Sequence, residues 1–323
     1  MRTEQWLENP ELFIPVWKDT WTPDPRMLDF EEKWEAFHTP DGRVMTCAHR
    51  GDVNIYYPEN SLEGFYSAIL AGADIVEVDT HTTKDGQLVI MHDDALTRTT
   101  NVFSLRERGI PLPPTDQIAD WTLAQIKQLR LVTKDGVLTE YAVPALSELI
   151  RLAKDKVFIT LDKWHAFSWE DSVYPLIQKL EAYRTVLIVY DYPLQQAHEI
   201  RSKILRETGI GAPFFAGVVH GNGIMSYEKI EQVKAFLDSH GMPPVLRGGE
   251  FLAEERTKMQ KILLPQKGKC RIYAETLRRE HDTRECWQEM AETGCNIIMG
   301  NRIYDLLEWV KQRHFSGEEI SRC

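Results

Sequence analysis

Four short runs of the chain end in ionisable residues: Ala48-His49-Arg50-Gly51, Val76-Glu77-Val78-Asp79, Met91-His92-Asp93 and Leu161-Asp162-Lys163. Each follows apolar, β-branched residues of the kind that form buried strands, and such a strand ends in charge only where the charge is paired or binds a ligand. Glu77 and Asp79 stand two apart, so on a strand both side chains point to one face, where two carboxylates repel. A hard divalent cation with oxygen ligands, Mg²⁺ or Ca²⁺, resolves the repulsion, with Asp162 as a third ligand from a neighbouring strand. Direct neutralisation by Arg50 and Lys163 is the alternative. His49 and His92 supply two imidazoles able to share general-base and general-acid duties near neutral pH. With Arg50 and Lys163 to clamp the nonbridging oxygens of an anion, the set describes a site for cleaving a phosphate ester.

These residues need a scaffold that gathers their strand ends. From Val44 onward, short apolar runs alternate with amphipathic stretches, the pattern of parallel strands joined by crossover helices. Strands are expected over 44–48, 74–78, 157–161, 186–190, 214–219, 244–246, 270–275 and 296–299. Helices are expected over 61–71, 123–129 with 146–154, 170–183, 194–207, 227–239, 253–263, 284–293 and 304–313. Eight β/α units in about 270 residues predict an α/β fold of the TIM (β/α)8 barrel type. Residues 87–91, after the turn Lys84-Asp85-Gly86, form an extra hairpin segment that carries His92 at its end. Active residues of such a barrel lie at the carboxyl ends of its strands. That rule adds Glu275 and His220 as pocket-facing residues, either substrate contacts or a helix cap and a partner of a loop carbonyl. Trp164, next to Lys163, is placed to stack on an alkyl or sugar part of a leaving group.

Composition narrows the setting. The 38 Lys and Arg against 49 Asp and Glu give a net charge of −11, and without a basic run a nucleic-acid partner is not expected. The hydrophobic fraction of 43% and charged fraction of 27% suit a globular domain. The longest uncharged run, 208–227, is broken by Pro213 and by glycines such as Gly209 and Gly217, so no integral membrane span is expected. Residues 1–10 lack a secretory pattern, which makes the cytoplasm the expected location. Five widely spaced cysteines fit reduced thiols. Residues 1–43 form an acidic arm holding Trp6, Trp17, Trp21 and Trp34, read as an extension of a barrel domain at 44–323. Its aromatic side chains need burial against the barrel or a second subunit, which leaves a homodimer as an open alternative.

In order along the chain, His49-Arg50-Gly51, Pro58-Glu59-Asn60-Ser61, Gly72-Ala73-Asp74, Glu77-Val78-Asp79, Lys84-Asp85-Gly86, Val89-Ile90-Met91-His92-Asp93 and Leu96-Thr97-Arg98-Thr99-Thr100 resemble the glycerophosphodiester phosphodiesterase family, of the phosphatidylinositol-phosphodiesterase-like TIM barrel superfamily. The match is close over residues 44–101 and looser through Gly294-Cys295-Asn296-Ile297-Ile298. The resemblance implies a barrel enzyme of lipid and glycerol metabolism. Its reaction would be the metal-dependent hydrolysis of a small-molecule glycerophosphodiester to an alcohol and glycerol 3-phosphate. It lays His49 and His92 on the catalytic pair, Glu77 and Asp79 on metal ligands, and Arg50 on the phosphate contact. Glu59 and Asn60 match a motif that braces the metal and substrate side of the mouth. It further implies attack by a neighbouring glycerol hydroxyl, giving a cyclic phosphate that water opens, with one histidine as base and the other as acid.

The chain departs from that family pattern at three places. Residues 52–57 lengthen the link after Gly51, and Tyr56 and Tyr57 are candidates to line the mouth. Asp162 stands directly before Lys163, so both face the metal only if the strand is bulged. Met299-Gly300-Asn301-Arg302 places a neutral amide where a carboxylate is expected, for which Glu275 is a candidate substitute. Two rival readings follow. One is a phospholipase D-like or phospholipase C-like enzyme acting on a lysolipid, with Trp164, Phe167 and Trp169 as its apolar groove. The other is a noncatalytic binding module on the same barrel.

Overall fold

Period-two alternation along each strand sorts the side chains into two sets, one packed inside a curled sheet and one under its helices. The computed structural model describes residues 3–9, 12–163, 166–190, 194–217, 227–241 and 245–315. Its strands are β1 (Met45–His49), β2 (Ile75–Thr82), β3 (Leu88–Ile90), β4 (Arg130–Val132), β5 (Leu138–Ala142), β6 (Phe158–Asp162), β7 (Ile188–Tyr190), β8 (Phe214–Gly217), β9 (Val245–Glu250), β10 (Arg271–Thr276) and β11 (Ile297–Gly300). The order β3-β2-β1-β11-β10-β9-β8-β7 runs along one sheet, and β6 pairs with β2. Ile159 of β6 also bridges in parallel to Val186, just before β7. All pairings of this sheet are parallel except that of β2 with β3, which forms the expected hairpin. The architecture is α/β of the TIM-barrel type.

Met45, Cys47, Ile75, Phe158, Leu187, Val189, Val245, Tyr273, Ile297 and Met299 form one buried cluster, the interior of the curl. Alternation from these residues points His49, Glu77, Asp79, Asp162, Arg247, Glu275 and Asn301 to the same side, further toward the carboxyl ends. The helices follow their sequence patterns closely. Tyr227–Ser239 and Arg284–Thr293 match the expected bounds, and Leu62–Ala71 starts after Ser61, whose Oγ accepts the Gly64 amide at 3.1 Å. β9 runs beyond its expected end at 246, through Gly248-Gly249 to Glu250, because pairing with β10 overrides the weak strand preference of glycine. The β4–β5 hairpin was not expected from sequence, because three of the five β5 residues are polar or small and its tip is exposed.

The helix Phe30–His38 inserts Phe30, Ala36 and Phe37 into the interior cluster, against Phe158, so the amino-terminal segment plugs the end of the curl opposite the strand ends. Arg271 Nη1 and Nη2 donate to the carbonyls of Ala36, Thr39, Arg43 and Asn296, and Arg43 pairs with buried Asp74. Trp6 stacks on Tyr66 at 5.1 Å, and Trp17 and Trp21 donate to Ser67 and to the Ala71 carbonyl on the outer layer. Phe37→Ala is expected to destabilise the protein by about 3–5 kcal/mol through the cavity it leaves. Urea denaturation measures this, and a loss below about 1 kcal/mol would show that the plug is dispensable.

Candidate active site

The register sets the site. His49 lies opposite Glu77, and Asp79 opposite Asp162. This brings one oxygen each of Glu77, Asp79 and Asp162 to within 4.8 Å of one another. Glu77 and Asp79 are 2% and 1% exposed. Burial pushes the Glu77 carboxyl well above its ordinary range, and the charges of Asp79 and Asp162 push it the same way. Burial acts upward on Asp162 too, but Arg247, 3.9 Å away, with the amide and ammonium of Lys163, outweighs it and lowers the carboxyl. Arg50 Nε lies 3.1 Å from Asp79, yet the same guanidinium also serves Glu59. Positive charge is thus short at a carboxylate trio of which Glu77 and Asp79 are buried and Asp162 opens toward solvent, and its hard oxygen donors fit a divalent cation.

Left-handed residues make the turns that hold these groups. Lys163, at φ 62°, ends β6 and turns its amide back to donate to Asp162 Oδ1 at 2.8 Å. Asp162 therefore joins the trio without a bulge in its strand, while the Lys163 side chain leaves the strand's alternation. Arg50, at φ 57°, donates its amide to the Glu77 carbonyl at 3.1 Å. Gly51 follows at φ 87°, where a Cβ would lie 2.9 Å from the Gly64 carbonyl carbon. Asn60, buried at φ 59°, donates Nδ2 to Asp79 Oδ2 at 2.9 Å and fixes that carboxylate.

Glu59, expected on the metal side, is instead held by Arg98 through bonds of 3.0 and 2.7 Å and by Arg50 at 3.2 Å. It is not one of the three carboxylates that cluster.

The two histidines are anchored differently. His49 Nδ1 lies 2.7 Å from Asn301 Oδ1, and Asn301 Nδ2 donates to the Leu277 carbonyl at 2.8 Å. That second bond leaves the amide oxygen facing the ring, so Nδ1 carries the proton and Nε2 keeps its lone pair. Asp282 fixes Asn301 by accepting the amides of Asn301 and Arg302 at 2.8 and 2.7 Å. Gly300 makes room for this, since a Cβ there would lie 2.5 Å from Asp282 Oδ1. Burial, and then Arg50, lowers the His49 pKa below the ordinary imidazole value. His92 Nδ1 donates to Asp93 Oδ1 at 2.6 Å. Arg98 bonds both Asp93 oxygens, at 2.6 and 3.0 Å, and holds that carboxyl far below its usual range.

Glu275 shares its strand parity with the interior Tyr273 and sits opposite Glu250. Trp164 and His220 lie outside the described residues. Phe167 and Trp169 pack with the helix layer rather than at the mouth, and Tyr57 is buried against Phe13 and Tyr141 rather than lining it. Sequence reasoning assigned no role to Asp93, Arg98, Arg247 or Asp282. Arg98 lay within a quoted motif, but its span from Asp93 to Glu59 is a tertiary fact.

Strand order, and the gathering of these groups at the carboxyl ends, place the protein in the class of barrel-type α/β proteins with a histidine-flanked, cation-ready mouth. Residues 49–196 match the sequence model of the glycerophosphoryl diester phosphodiesterase family. A glycerophosphodiester phosphodiesterase of Caldanaerobacter subterraneus is 36% identical over 118 residues, covering 36% of this chain and 43% of the relative. The chain thus spans less than half the length of that curated relative. Among solved structures, a glycerophosphoryl diester phosphodiesterase from Parabacteroides distasonis superposes with a TM-score of 0.65 at 22% identity, over 88% of this chain and 92% of that one. A phosphodiesterase from Oleispira antarctica, solved with the product sn-glycerol-3-phosphate, superposes with a TM-score of 0.55 at 17% identity, over 84% and 97%. These two likenesses concern the fold. Among the described residues no helix is long and apolar enough to cross a membrane.

Proposed function

We propose that the chain hydrolyses glycerophosphodiesters to an alcohol and glycerol 3-phosphate, on a closed (β/α)8 barrel at 44–323 with residues 1–43 docked on it. The observation that carries this reading is the Glu77, Asp79 and Asp162 cluster, with His49 opposite Glu77 in the sheet register and His92 directly after Met91, whose amide donates to the Asp79 carbonyl. Glu77, Asp79 and Asp162 would hold Mg²⁺ or Ca²⁺, which when bound neutralises charge on the phosphate oxygens. Arg50 stands between Glu59 and Asp79, ready to hold a nonbridging oxygen. His49, kept neutral with Nε2 free, takes the proton from the attacking glycerol hydroxyl. His92, oriented by its bond to Asp93, gives a proton to the departing alcohol. Water then opens the cyclic phosphate with the two roles reversed. The test is phosphorus NMR of the protein with glycerophosphocholine, glycerophosphoethanolamine and glycerophosphoglycerol, with either metal and then with chelator. Metal-dependent appearance of glycerol 3-phosphate supports the reading. An accumulating cyclic phosphate, or reaction with lysophosphatidylcholine alone, overturns it.

The anchor of His49 gives a pH prediction. Asn301→Asp replaces a neutral acceptor by a carboxylate that favours imidazolium, so the His49 pKa rises. The base is then protonated at higher pH, and the acid limb of the kcat/KM profile is expected to move up by about one pH unit. An unmoved or downshifted limb would remove His49 from the role of base.

A further inference from the structure

A cavity of about 590 Å³ opens at the carboxyl-end face beside Asn301, within the size range of small-molecule sites. The loops after β1, β10 and β11 wall it, and Lys134 from the β4–β5 turn reaches its lining. It shares Asn301 with the histidine site, so a group seated in it lies next to the reacting centre. The lining carries three carboxylates and three cations, and it is their hydrogen-bond pairing, not their net charge, that is uneven. Asp52 accepts bonds from Asn54, Ser67 and the Tyr304 hydroxyl, and is thereby committed within the protein. Asp282 is committed to the amides of Asn301 and Arg302 and to Thr276 and Trp287. Asp305 pairs with Arg302 at 2.6 Å. Lys134 and Arg279 remain, both exposed, and among the described residues neither has an ion pair or a side-chain hydrogen bond.

We propose that this cavity receives the departing alcohol and that Lys134 and Arg279 select alcohols bearing a further anionic group, such as a phosphate or carboxylate. This rests on the hydrolase reading above and adds the substrate class to it. A quaternary ammonium alcohol meets two exposed cations there while Asp52 and Asp282 lie buried behind their own partners, and a neutral polyol leaves the cations unused. A phosphorylated polyol pairs with both, through the guanidinium fork of Arg279 and the ammonium of Lys134.

The test compares glycerophosphoinositol 4-phosphate with glycerophosphoinositol and glycerophosphocholine, using the metal-loaded protein and its K134Q/R279Q variant. Both substitutions are on the surface, and a thermal melt checks the fold. The wild-type kcat/KM is expected to favour the phosphorylated diester by about tenfold, and the variant to lose that preference. Hydrolysis of all three without preference, or a preference the variant retains, overturns the assignment and leaves the hydrolase reading standing. If no diester is hydrolysed, the hydrolase reading falls and calorimetric titration of inositol 4-phosphate judges the cavity. Binding weakened about tenfold in the variant supports the cavity's chemistry, and equal binding overturns it. Inorganic phosphate binding as tightly as inositol 4-phosphate would reduce the cavity to an anion site and overturn its role for the alcohol.

Discussion

His92→Ala is expected to lower kcat on an alkyl glycerophosphodiester by roughly 10²–10⁴-fold, the range for loss of a positioned general acid. Among the described residues the ring is held by Asp93, which keeps both of its bonds to Arg98 after the change, so the local fold should survive and a thermal melt should show it. The leaving group separates the two histidines. An alkoxide needs a proton as it departs, whereas a nitrophenolate does not. The His92→Ala loss should therefore shrink sharply on a nitrophenyl phosphodiester, while the His49→Ala loss should persist on both, because the attacking hydroxyl still needs its base. Equal losses for both variants on both substrates would overturn the division of labour drawn from Asn301 and Asp93.

Chelation of divalent metal is expected to abolish turnover and to lower the melting temperature. Without a cation, Glu77, Asp79 and Asp162 repel one another at a site where burial already disfavours charge. A ligand that binds only the folded state stabilises it by about 2.7 kcal/mol at a hundred times its Kd, so Mg²⁺ or Ca²⁺ should raise the melting temperature in a titratable way. Asp79→Asn should remove both the shift and the activity. The pH dependence has a definite sign: ligation needs ionised carboxylates, and the raised Glu77 pKa means that a proton competes with the ion above the ordinary carboxylate range. Metal affinity should therefore fall as pH drops toward that range. A melting temperature indifferent to both metals, in protein that still turns over, would show that Arg50 and Arg247 suffice to neutralise the trio.

Arg98 shows how a motif can be visible without its meaning. It bonds Asp93 five residues away and Glu59 thirty-nine residues away, so one guanidinium ties the His92 segment to the Arg50 loop. The sequence suggested Glu59 as a neighbour of the metal, and the structure assigns it to Arg98 and Arg50, because charge pairing depends on which loops meet. The sequence places Asn301 where a carboxylate is expected and offers Glu275 as its substitute. In the fold Asn301 is the partner of His49, across 252 residues of chain.

The sequence by itself determined the local rules: which runs become strands or helices, and that Glu77 with Asp79 must share a face. It also determined that His49, His92 and Asp162 fall at strand ends. These depend on periods of two and 3.6 residues and on end residues such as Ser61, all read within a few positions of the chain. Tertiary structure decided the partners. The register that sets Asp79 beside Asp162, the plug of Phe37 on Phe158, the turn at Lys163 and the anchoring of Asn301 by Asp282 arise only when distant strands align. Alternation states which way a side chain points but not what stands opposite, and the chemistry of this mouth lies in what stands opposite.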